Sequence, residues 1–137
     1  MYNSRTINND GFAVYYQPMC ISKTQEFVTA EALIRLNDPE LGFISPAEFI
    51  PIAEANGSII TIGNIVLEKV CEFISRDDWD ELGLHSIEMN LSAAQILQRN
   101  FIKVVKNITE KYNIDKSQLN FEITETASNN APAVFPA

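Results

Sequence analysis

From residue 27 onward, strand-like and helix-like segments alternate along the chain, which predicts an α/β fold built on parallel strands. Two strand-like runs, 12–19 and 27–36, stand at the front with a short connection between them. That spacing predicts an antiparallel hairpin ahead of the parallel part. Strong helix punctuation after residue 44 separates this hairpin from the next strand.

Residues 1–11 are a polar lead-in that closes on the Asp10-Gly11 turn signal. FAVYYQPM (12–19) is rich in aromatic and branched residues, and FVTAEALIRL (27–36) follows as the second strand. In SPAEFIPIAEANG, Ser45 is placed to cap a helix, Pro46 takes the first helical position and Glu48 stands at capping-box spacing. Pro51 lies one turn on, where it kinks or restarts the helix, and Gly57 is the stop. Between Ser58 and Arg76, Ile62, Ile65, Val66, Val70, Phe73 and Ile74 recur at helical spacing and define one buried face. DDWDELGLH (77–85) is a polar connection. SIEMNLS (86–92) is the third strand, and Ser92 with Gln95 repeats the capping-box spacing at the start of a short helix. Phe101, Val104, Val105, Ile108 and Tyr112 mark a further amphipathic helix, and QLNFEITET (118–126) is the fourth strand. The residues after it read as the start of another helix.

The 137 residues suit one domain, and 46% of them are hydrophobic, as in a soluble globular protein. A net charge of -8 excludes a general DNA or RNA surface, which needs clustered cations to displace counterions. Cys20 and Cys71 are too few and too far apart for a disulfide framework or a zinc knuckle, and read as packed thiols. No run approaches the ~20 apolar residues of a membrane span, and the first ten residues lack the apolar core of a signal peptide. A cytoplasmic setting is expected.

Side chains alternate across a strand. Thr29, Glu31, Leu33 and Arg35 therefore share one face of the second strand, Glu88 and Asn90 one face of the third, and Asn120, Glu122 and Thr124 one face of the fourth. Carboxylates on strands commonly face water. If Glu31, Asn90 and Glu122 instead converge at one end of a sheet, their oxygens suit a hard cation such as Mg²⁺ or Mn²⁺. His85 and the acidic run 77–81 read as solvent-facing, and Trp79 as cover for an apolar edge.

Several blocks then resemble one family. Glu31-Ala32-Leu33, continued by Ile34-Arg35, looks like the signature that names the EAL domain. YYQP (15–18) precedes it, and GFISPAEFIPIAEANG (42–57), MNLSAAQ (89–95) and FEITET (121–126) follow in the family's order. The resemblance covers about residues 12–128. It implies a TIM-like (β/α) barrel whose first strand is antiparallel to its neighbour. It implies hydrolysis of cyclic di-GMP to linear pGpG with Mg²⁺ or Mn²⁺. Glu31, Asn90 and Glu122 would be metal ligands, Gln17, Leu33 and Arg35 would contact the dinucleotide, and Glu125 would anchor a loop beside the metal site. Arg35 fits a phosphate because a guanidinium fork matches phosphate oxygens, although it also reads as a surface charge.

The sequence departs from the family at Leu36, where Trp is common, and it lacks the DDFG-type segment of the family's second half. Asp77-Asp78 is no substitute, because it falls before the third strand. A TIM barrel typically takes ~250 residues, so residues 12–137 are expected to form an incomplete EAL domain, truncated after about four strands and inactive as a hydrolase by itself. Uncovered strand edges predict self-association or a domain-swapped dimer. A fused sensory or diguanylate cyclase domain is a further expected partner. The alternatives are a degenerate EAL module that binds cyclic di-GMP or a protein without catalysis, and a fragment with no function of its own.

Overall fold

A computed structural model describes residues 11–21 and 26–124. One sheet forms its floor. Strands β1 (Phe12–Ile21) and β2 (Glu26–Asp38) pair antiparallel, β2 pairs parallel with β4 (Ser86–Ser92), and β4 pairs parallel with β5 (Leu119–Thr124). The sheet order is β1-β2-β4-β5, with the short β3 (Gly42–Ile44) paired antiparallel to the end of β2. The expected hairpin and parallel strands are both present. Pro18 lies in β1, the outermost strand of the sheet, which is where a strand tolerates proline.

Helices α1 (Pro46–Asn56), α2 (Ile59–Ile74), α3 (Ala93–Ile96) and α4 (Phe101–Lys111) fill the connections. Ala30, Ala32 and Leu36 of β2 and Ile87, Met89 and Leu91 of β4 join Phe49 of α1 and Ile62, Val66 and Val70 of α2 in one buried cluster. The residues between them along each strand stay out of that cluster, although Glu31 and Leu33 are themselves buried. The period-2 pattern thus separates an apolar, helix-covered face from a polar one. Trp79 is buried and meets Phe73 edge-on at 6.0 Å, so it covers an apolar edge as expected, and His85 is exposed. Cys71 is fully buried, and burial pushes its thiol up to about 11.

Local signals succeeded unevenly. Gly57 takes a left-handed conformation, φ 86°, and ends α1 as expected. The helix runs through Pro51 without a break. Ser45 stands at the cap with extended backbone, yet its side chain makes no capping bond, so the expected Ser45–Glu48 box does not form. Both residues are exposed, and the Glu48 N–H donates instead to the Ser45 carbonyl at 3.0 Å. The Ser92–Gln95 box forms completely, and both residues are buried. β3 was not anticipated. Asp38 Oδ1 accepts from the N–H groups of Glu40 (2.8 Å) and Leu41 (3.0 Å), and this turn folds the chain back onto β2. Glu125 and the residues expected to begin the last helix lie outside the described residues, as does the 1–10 part of the lead-in.

Gly63 in α2 touches Gln95 so closely that a Cβ would stand 1.8 Å from Nε2 and 2.6 Å from Cδ. Gln95 cannot swing away without giving up the bond its Oε1 accepts from Ser92 N at 2.9 Å. Gly63→Ala is therefore expected to destabilise the chain by about 1–3 kcal/mol, although alanine is the better helix former. Urea unfolding measures it, and a neutral or stabilising result would show that Gln95 relocates freely.

Candidate active-site face

The polar face begins with register. Gln17 of β1 lies opposite Glu31 of β2, Glu31 lies opposite Glu88 of β4, and Asn90 of β4 lies opposite Glu122 of β5. Because paired residues point the same way across a sheet, these five side chains belong to one surface. Below them, Ser86 Oγ donates to Thr29 Oγ1 at 3.2 Å, and Asn120 Nδ2 donates to Ser86 Oγ at 3.4 Å.

Glu31 is the centre of the face. It is 8% exposed, and its Oε2 accepts from Asn90 Nδ2 at 3.2 Å. Burial pushes its carboxyl above the ordinary glutamate range, the Asn90 bond partly offsets this, and the charges of Glu122 and Glu88 push it further up. The Asn90 bond uses the amide nitrogen and leaves Oδ1 outside it. Glu122 is exposed and Glu88 half-buried. The sequence-derived trio of Glu31, Asn90 and Glu122 is thus brought to one place: two of its members hydrogen-bond and the third pairs in register with Asn90.

Glu88 was not singled out from the sequence. Its alternation placed it beside Asn90, but only the non-local β2–β4 register sets it against Glu31. Among the described residues no three His, Cys, Asp or Glu side chains close around a point on their own. The oxygen set is two or three carboxylates with an amide between them. That composition fits a hard divalent cation, whose charge would offset the burial and the neighbouring carboxylates that raise Glu31.

Toward the end of β2, Arg35 is half-buried. Its Nη1 donates to the carbonyl of Ile34 at 2.9 Å, and its guanidinium carbon lies 5.8 Å from the centre of the Tyr15 ring. One N–H is thereby used and the plane is steadied, while the other donors of the fork stand outside that bond. Leu33 is buried opposite Tyr15, and Gln17 is exposed. Behind the strand ends, a cavity of about 70 Å³ lies between β2, β4 and the first two helices, with Arg35 and Asn90 in its wall. It is mostly apolar and far too small for a nucleotide.

Residues 3–134 match the family model for the EAL domain. The chain belongs to the EAL domain family. It is 36% identical over 121 residues to the signaling protein YkoW of Bacillus subtilis, covering 88% of this chain and 15% of that protein. It is 32% identical to the bifunctional diguanylate cyclase/cyclic di-GMP phosphodiesterase MucR of Pseudomonas aeruginosa, covering 84% of this chain and 17% of MucR. The fold superimposes on the MucR phosphodiesterase in its c-di-GMP complex with a TM-score of 0.80 and 28% identity, over 93% of this chain and 52% of that one. The antiparallel first strand and the mixed sheet are therefore part of the EAL type of TIM-like barrel. The chain spans about half the length of that solved EAL protein and under a fifth of these curated relatives. Among the described residues no helix is long and apolar enough to cross a membrane.

Proposed function

We propose that this chain carries one wall of a metal-dependent cyclic di-GMP phosphodiesterase site, in which cyclic di-GMP is opened to linear pGpG. The observation that carries this reading is the Glu31–Asn90 hydrogen bond with Glu122 in register beside it, on the sheet face the helices leave open. Glu31, Asn90 and Glu122 would hold Mg²⁺ or Mn²⁺. Bound divalent ions neutralise a phosphodiester and make a water easier to deprotonate. The chain's own residues do the rest of this wall's work. Glu31 supplies a carboxylate already desolvated by its surroundings. Asn90 orients that carboxylate. Arg35, steadied by Tyr15, offers its remaining N–H groups to a phosphate oxygen. Leu33 and Gln17 present an apolar and a polar contact to the dinucleotide. Glu125 would anchor the loop after β5.

Charge explains why cation and dinucleotide are coupled. A cyclic dinucleotide carries two phosphate charges, and the face carries Glu31, Glu88 and Glu122. Without cations, like charges oppose binding, and Arg35 alone does not balance them. Cyclic di-GMP should therefore bind more tightly when Mn²⁺ or Mg²⁺ is present. A module that only senses the nucleotide would bind equally well without metal.

The decisive experiment is calorimetry of cyclic di-GMP with and without Mn²⁺, paired with pGpG release from this chain and from a version extended to the full EAL length. Metal-promoted binding by the chain and turnover by the extended protein are expected. Absence of both would remove the reading. The 137-residue chain alone is expected to bind without turnover, and to associate through its sheet edges. The natural setting we propose is cytoplasmic, beside a sensory or diguanylate cyclase domain. Arg35→Ala should weaken cyclic di-GMP binding by about 10–100-fold, the range for a lost charge-assisted hydrogen bond of about 1.5–3 kcal/mol, with Mn²⁺ affinity unchanged. An equal loss of metal affinity would place Arg35 elsewhere in the scheme.

A further inference from the structure

We infer that Glu54, on α1, is a positioning residue for Asn90. The inference rests on the reading of Asn90 as a ligand in the proposed site, but its geometry stands without any metal.

Glu54 Oε2 accepts a 2.6 Å hydrogen bond from Ser92 Oγ, across 38 residues of sequence. That is the short, charge-assisted kind, about twice as strong as a neutral bond. Ser92 is the last residue of β4 and the cap of α3, and it is held from three directions. Its Oγ gives its proton to Glu54 and accepts from Ala94 N at 3.3 Å, and its own N–H reaches Gln95 Oε1 at 2.9 Å. Gln95 in turn is walled in by Gly63 of α2.

Asn90 precedes Ser92 by two residues, and both lie in β4. Any roll of the strand end that moved the Ser92 hydroxyl would swing the Asn90 amide with it. Among the described residues, the Asn90 amide bonds on the site side to Glu31 at 3.2 Å. This end of β4 is held by its ladder with β5 and by the Ser92 cluster, and Glu54 brings to that cluster a bond from a separate, core-packed helix. α1 seats Phe49, Ile50 and Ala53 in the core, so Glu54 ties the Asn90 end of the strand to a fixed frame. A loose amide would weaken a cation site without unfolding anything, as outer-shell partners of metal ligands do.

The test uses the whole chain with Glu54→Ala, Glu54→Asp and Glu54→Gln. Gln keeps an acceptor oxygen at the same reach. Asp keeps the charge but shortens the arm, and it stands in if the alanine variant does not fold. Two readouts apply. The first is the Asn90 side-chain amide resonance in the metal-free protein. The second is Mn²⁺ affinity by calorimetry. In Glu54→Ala and Glu54→Asp the resonance should move toward that of a free amide and Mn²⁺ affinity should fall about tenfold, while Glu54→Gln recovers both. A purely structural role for Glu54 would lower the melting temperature and leave the resonance in place. An unmoved Asn90 resonance overturns the inference, as does a glutamine variant no better than alanine. If the wild-type chain binds no Mn²⁺, the ligand reading of Asn90 fails, and the resonance still decides whether Glu54 positions it.

Discussion

Glu31→Gln is expected to do two opposite things: to weaken Mn²⁺ binding by ~100-fold or more, and to stabilise the metal-free chain at neutral pH. Outer-shell partners of a metal typically contribute roughly 10–100-fold to its affinity, so loss of a charged ligand should stand at the top of that range. The stability gain follows from the same carboxylate. It is buried, and Glu122 and Glu88 oppose its ionisation. Its folded pKa is raised above the ordinary glutamate value of about 4.3. Between the ordinary and the raised value, the folded state binds more protons than the unfolded state, so stability falls as pH rises through that window. Below it, both states are protonated at this group and the contribution vanishes. The wild-type and glutamine proteins should therefore melt alike near pH 4. At pH 7 the variant should melt higher than the wild type. Adding Mn²⁺ should reverse the order, because only the wild-type chain gains from it. Equal metal affinity in the two proteins would sink the ligand assignment; equal melting at pH 7 would sink the claim that Glu31 is strained without a cation.

Much of this face was legible because strands have a period of two. Alternation alone put Glu31, Asn90 and Glu122 on polar faces, and the structure joins those faces into one. Alternation says nothing about which residues stand opposite each other across strands. Glu88 illustrates the limit: its position against Glu31 depends on a β2–β4 pairing across more than fifty residues. The two capping-box patterns show a second limit. Ser45-x-x-Glu48 and Ser92-x-x-Gln95 have the same spacing, but only the second forms. At Ser45 both partners are exposed, and the Glu48 N–H goes to the Ser45 carbonyl instead of the side chain. At Ser92 burial excludes water, and both Glu54 and Gly63 press the partners into place. Local sequence specified the motif, and tertiary packing decided its outcome. β3 was lost for a simpler reason: three residues are too few for a periodic signal, and its turn depends on the Asp38 carboxylate bending back to two amides.

Phe49→Ala should cost about 3–5 kcal/mol, the usual range for emptying a fully buried phenylalanine site, against the 5–15 kcal/mol total typical of a domain. Phe49 is 0% exposed and meets the Phe12 ring at 5.9 Å and 55°. It therefore joins the hairpin strand β1 to α1. The helix has few local stabilising features of its own. It runs 11 residues, lacks a side-chain cap, has no basic residue in its last turn, and contains Pro51. Short helices of this kind are stable only through the face they bury, and here that face is Phe49, Ile50 and Ala53. Urea unfolding should show a lower midpoint with an unchanged slope if the native state merely loses the ring. Phe49→Leu should recover most of the loss. The functional consequence separates this packing role from a generic one. Since α1 carries Glu54, any Phe49→Ala protein that stays folded should also lose Mn²⁺ affinity, and the leucine variant should keep it. A loss below about 1 kcal/mol would mean that α1 does not depend on this ring. Full Mn²⁺ affinity in a folded but loosened variant would uncouple the helix from the polar face.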